Sequence, residues 1–154
     1  MIWLCLACTL LPPQPGVGIA DDQTQIEGQW RMESVQEGGV AVDLATAPDT
    51  WTITNGVMTI GRNGMLGTTD LRITLNQRTS PKQFDVVYVG EDAGVKARYQ
   101  GGVHGIYKLD GLRFTRCFVY GNLPRPTSFV PPPGTRVRLH ILKRPEKEKP
   151  PLPK

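Results

Sequence analysis

Apolar residues recur at every second position in short runs along this chain, and Gly, Pro, Asn and Asp separate the runs. That is the pattern of antiparallel strands with one buried face. Trp30 and Met32 alternate with Arg31 and Glu33 in a first strand, which places Ser34 on the Trp30 face and Val35 opposite, and Gly38-Gly39 then bends the chain. Trp51-Thr52-Ile53-Thr54 and Val57-Met58-Thr59-Ile60 flank Asn55-Gly56, a pair suited to the two positive φ angles of a type I′ hairpin turn. Arg62-Asn63-Gly64 marks another turn, and Leu71, Ile73 and Leu75 share one face of the strand after it. Phe84, Val86 and Tyr88 repeat the alternation. Gly105-Ile106-Tyr107-Lys108-Leu109 runs into a tight hairpin at Asp110-Gly111 and returns through Phe114, Arg116 and Phe118. The stretch 123–134 holds too many prolines for an interior strand. A closing strand follows, with Val137, Leu139, Ile141 and Lys143 read as facing inward and Arg136, Arg138, His140 and Leu142 outward. About eight consecutive strands predict an all-β fold, a single antiparallel up-and-down barrel; an open sandwich accommodates them equally well.

The ends of the chain differ from this middle. Residues 2–11 are uncharged and mostly apolar, too short a run to span a bilayer, and small residues follow at Gly18 and Ala20. They read as a signal peptide over 1–20, cleaved near Ala20, although no Lys or Arg precedes the apolar run. Leu6-Ala7-Cys8 loosely matches a lipoprotein cleavage box, which makes a lipid anchor on Cys8 the alternative. A secreted or periplasmic location follows in either case. The barrel domain is placed at 25–144, and the Pro- and Lys-rich residues 145–154 at the end of the chain read as a disordered tail. With the leader removed, Cys117 has no cysteine to pair with, and its apolar strand makes it a small buried hydrophobe. The net charge is +4, of which residues 144–154 supply about +2, and no basic face interleaved with aromatics suggests nucleic acid.

The side chains offer little for catalysis. There is no Gly-x-Ser-x-Gly elbow, no His-x-x-x-His and no phosphate loop leading into a helix. His104 and His140 lack a partner at ligand spacing and read as polar strand residues, so no metal or cofactor set emerges. Asp49, Asp92 and Asp110 sit at or beside turns, where Asp bonds its own backbone, and Asp85 faces solvent by alternation. The expected function is therefore non-enzymatic: binding of a small apolar or amphipathic molecule inside the barrel, with a structural or protein-docking module of the cell envelope as the alternative.

Candidate ligand-binding residues on the inward face are Phe84, Tyr88, Tyr107, Phe114, Arg116 and Phe118. Arg116 stands out, because alternation puts it between Phe114 and Phe118, where a guanidinium needs a wet mouth, an inward carboxylate or an anionic ligand. A second expectation concerns closure. Trp30 opens the first strand and Lys143-Arg144 end the last, so in a closed barrel a cation should lie on the indole, Lys143 by alternation and Arg144 next.

With these residues in view, the chain resembles a lipocalin-like domain of unknown function found in many exported planctomycete proteins. The likeness runs from Ile26 to Arg144. It rests on Glu27-Gly28-Gln29-Trp30, Gly105 to Gly111, Cys117, Arg125-Pro126-Thr127-Ser128-Phe129 and Leu142-Lys143-Arg144. The resemblance implies a small β-barrel and no established activity. Arg116 departs from that family's pattern, which has an aliphatic residue there.

Overall fold

The computed structural model describes residues 21–46, 50–62 and 65–145. The leader with Cys5 and Cys8, Asp49, the Asn63-Gly64 turn and most of the expected tail lie outside them. Among the described residues nine strands run in chain order: β1 Gly28–Glu37, β2 Val40–Ala41, β3 Thr50–Thr54, β4 Val57–Arg62, β5 Met65–Asn76, β6 Lys82–Tyr88, β7 Val103–Asp110, β8 Arg113–Tyr120 and β9 Arg138–Lys143. The described residues also form two short α-helices, α1 Asp22–Gln25 before β1 and α2 Ala93–Arg98 between β6 and β7, and one 3-10 turn at Leu44–Thr46. From β3 to β9 each strand pairs antiparallel with the next, β3 also pairs with β1, and β9 returns to pair with β1. These eight strands close a barrel. The two-residue β2 hangs from the far end of β1.

Turn chemistry sets the hairpins. Asn55 and Gly56 both carry positive φ, 53° and 72°, as the β3–β4 turn requires. At the second predicted hairpin Asp110 still pairs with Arg113, so the two-residue loop is Gly111-Leu112, one position later than the sequence reading placed it.

Alternation places the core on most strands. Trp30, Leu71, Ile73, Phe84, Val86, Tyr107, Phe114 and Phe118 are all buried within one cluster inside the barrel. Two strands depart from the simple reading. The β1 ladder shifts register between Met32 and Ser34, and this bulge turns Val35 and Glu37, rather than Ser34, toward the interior beyond it.

The second departure corrects the closing strand: His140 and Leu142 face inward, and Leu139 and Ile141 do not. Leu139 is buried outside the barrel in a second cluster with Ile106 and Cys117, against which Phe129 and Val137 pack. The Pro-rich segment forms this cover, so β9 has apolar partners on both faces and its alternation alone does not show which is inside. Arg125 holds the segment in place. Its Nη1 donates to the carbonyls of Phe84 and Gly105, each at 2.7 Å, and its Nη2 pairs with Asp85 at 2.7 Å. Asp85 thus has a partner rather than solvent alone.

Candidate functional site

One end of the barrel is sealed. The Trp30 ring is fully buried, 5.8 Å from Phe114, and its Nε1 donates to the Ile26 carbonyl at 2.7 Å. Burying a side chain of this size contributes roughly 3 kcal/mol. The Arg144 guanidinium lies 4.3 Å from the ring centroid and donates to the carbonyls of Glu27 and Gln25. A cation therefore does close the barrel on Trp30, but it is Arg144. Lys143, which simple alternation places inward, points outward and is exposed, because the true parity of β9 is the reverse. Gly28 makes room: its φ is 105°, and a Cβ there would stand 3.1 Å from Arg144 Nη1.

The short α1 supplies the rest of the seal. Asp22, 4% exposed, accepts from Tyr107 Oη at 2.8 Å and from Lys82 Nζ at 2.6 Å. Burial, and then the bond to Asp22, push the Tyr107 hydroxyl well above its ordinary pKa. Tyr107 is a neutral donor that ties α1 to the wall.

The order of residues along β8 sets depth in the barrel. Phe114 touches Trp30 at the sealed end, Arg116 comes next, then Phe118, and Tyr120 reaches the opposite end beside Tyr99. A cavity of about 250 Å³ occupies the space from Arg116 outward. Its two sides differ. β1, β8 and β9 contribute all the charged and imidazole groups, Glu37, Arg116, Arg138 and His140, beside apolar Val35 and Phe118, whereas β4 to β7 contribute Met58, Ile60, Leu71, Val86 and Val103.

Arg116 is 1% exposed, and among the described residues no carboxylate pairs with it. Its guanidinium carbon lies 4.0 Å from the Trp51 ring centroid and 5.0 Å from that of Phe118. Its Nη2 meets His140 Nδ1 at 3.3 Å. An arginine can only donate, so Nδ1 accepts and the imidazole proton sits on Nε2. Burial, and then the charges of Arg116 and Arg138, hold the His140 pKa well below its ordinary value. Desolvation likewise brings Arg116 down to about 9, still charged at neutral pH.

Among the described residues two buried side-chain N–H donors have no hydrogen-bond partner, Arg116 Nε and Trp51 Nε1. Both belong to side chains that border the same cavity and stack on one another. Such donors are rare in native structures, and each costs about 1–3 kcal/mol when left unmade. The second cavity arginine is already neutralised: Arg138 Nη2 reaches the two Glu37 carboxylate oxygens at 3.0 and 3.1 Å. The cavity thus holds one uncompensated positive charge.

Of the six residues singled out from sequence, Arg116 and Phe118 border the cavity. Phe84 and Phe114 lie against the Arg116 guanidinium at 5.4 and 5.8 Å without bordering it. Tyr107 belongs to the seal. Tyr88 is also away from the cavity, and its hydroxyl accepts from the Asp92 amide at 3.0 Å. Sequence reasoning missed Trp51, whose alternation with the buried Ile53 was a usable signal, and His140, which the misread parity of β9 concealed. It also missed Glu37, which depends on a bulge that no residue pattern announces. The other histidine, His104, is half-buried, with Nε2 against the Leu123 carbonyl.

Among the described residues no group of three His, Cys, Asp or Glu side chains is placed to hold a metal ion, and no helix is long and apolar enough to cross a membrane. No protein-family model, curated protein or solved structure matches this chain.

Proposed function

We propose that this chain is an exported, non-catalytic, lipocalin-like binding module whose ligand is a small amphipathic anion held inside the barrel by Arg116. The observation that carries this reading is the pair of unpartnered donors, Arg116 Nε and Trp51 Nε1, on one partly apolar cavity. A barrel selected only for a packed interior would place an aliphatic side chain at position 116, because a buried ion is on average no more stable than an apolar residue of similar volume. A carboxylate accepts from both donors, neutralises the guanidinium and leaves its apolar part against Met58, Leu71 and Val86. The apolar run within residues 1–20 supports export.

Calorimetric titration of matched acids and alcohols against wild-type protein and Arg116→Leu tests this. Wild type should prefer the acid by about tenfold or more, a difference of about 1.4 kcal/mol. Arg116→Leu should bind both equally. Equal binding of acid and alcohol by wild type would overturn the proposal.

A further inference from the structure

The size, sidedness and charge of the cavity restrict what an anionic ligand can be. The geometry points to a compact aromatic monocarboxylate as the ligand class, in place of a long-chain fatty acid or a dianion; this rests on the reading of Arg116 as an anion anchor.

Volume sets the size. At about 250 Å³ the cavity lies below the roughly 300–1,000 Å³ usual for pockets that hold drug-sized molecules, so its ligand is small. A long acyl chain with its head at Arg116 would have to run outward past Tyr120 and the partly exposed Glu37–Arg138 ion pair.

The walls set the shape. Rings line the side on which Arg116 sits: Trp51, Phe118, Tyr120 and the His140 imidazole, with Phe118 and His140 edge to face at 4.7 Å. Aliphatic side chains line the other side, from Met58 to Val103, with Tyr99 beside Tyr120 at its outer end. A rigid ring fits between two such walls and loses little conformational freedom on binding, whereas a flexible chain of equal volume loses several rotors.

Charge sets the valence. Arg116 supplies one uncompensated cation, Arg138 is engaged by Glu37, and His140 is held neutral. A second negative charge would lie beside the Glu37 carboxylate with no free cation left to receive it.

The test uses the wild-type protein and five probes measured by calorimetry at one pH: 3-phenylpropanoate, indole-3-acetate, palmitate, phthalate and 3-phenylpropanol. The two aromatic monoacids should bind at least about tenfold more tightly than palmitate, phthalate or the alcohol. If palmitate or phthalate matches the aromatic acids while the alcohol stays weak, Arg116 is an anion anchor and the restriction to compact monoacids is wrong. If the alcohol matches 3-phenylpropanoate, the anchor itself fails, and the inference with it. A variant of the aliphatic wall gives a second readout. Met58→Ala leaves the polar side intact and enlarges the cavity, so it should shift preference toward longer acids; an unchanged order of affinity would place the ligand elsewhere.

Discussion

Replacing Arg116 with Met should make the protein more stable while removing its preference for anions. The charged guanidinium is completely buried, and its pKa falls from 12.5 to about 9, a penalty of about 5 kcal/mol on the charged form at about 1.4 kcal/mol per unit. The sign follows from proton linkage. Above pH 9 the folded state binds fewer protons than the unfolded chain, so the penalty is present in full at neutral pH and is relieved only as pH rises from about 9 toward 12.5. Against it stands the Trp51 ring at 4.0 Å, a desolvated cation–π contact worth about 2 kcal/mol. A penalty of about 3 kcal/mol remains, within the range recovered when buried ions are replaced by apolar residues of similar volume. Met keeps the unbranched stem and fills the same column of space. Urea unfolding at pH 7, followed by tryptophan fluorescence, should show the variant about 2–3 kcal/mol more stable than wild type, with acid and alcohol bound equally. A loss of more than about 1 kcal/mol would refute the reasoning, since Arg116 would then be supporting the barrel rather than waiting for a ligand.

The cation at the sealed end should behave in the opposite way: Arg144→Leu removes the contact with Trp30 and strips donors from the carbonyls of Glu27 and Gln25, lowering stability by about 2–4 kcal/mol in thermal unfolding, while Lys143→Leu changes it by less than about 0.5 kcal/mol. His140 is buried neutral with a depressed pKa, so the unfolded chain binds the extra proton and stability should fall below pH 6.5 by up to about 1.4 kcal/mol per unit; denaturant midpoints from pH 7 to 5 should show this slope, and His140→Gln should flatten it. Cys117 is fully buried and its thiol is pushed up to about 11 by burial, so alkylation should require opening of the Pro-rich cover, and Arg125→Ala should accelerate labelling in mass spectrometry at least about tenfold.

Much of this barrel was legible because its strands carry a buried face against a wet one. Where that held, as along β5 and β6, counting by two located the interior. On β8, buried on both faces, the large rings of Phe114 and Phe118 still marked the inner one and with it Arg116, whereas on β9 aliphatic residues on both faces left the parity open. Leu139 reads as core and is core, but of the small cluster beneath the Pro-rich cover, so His140 and Arg138 were placed outside the barrel. The bulge after Met32 has no signature in residue type, so the Glu37 carboxylate, which cancels one of the two arginine charges in the cavity, was not foreseeable. The cavity is visible only once the register of all eight strands is known.

The pairing of β1 with β9 also governs how the molecule comes into being. Glu37 and Arg138, which meet across this seam, are separated by 101 positions, and Arg144, the cation on the sealed end, lies beyond them. A ribosome delivers β1 first and β9 last, so throughout synthesis the leading strand waits with its ladder unfilled. Seams between distant parts of a chain form slowly, on the order of milliseconds to seconds in small β domains. Until then β1 and β8 are edge strands, able to template on another nascent chain. A polypeptide truncated before Arg138 would stay in that condition, with Trp30 in place but without the Arg144 guanidinium that closes over it.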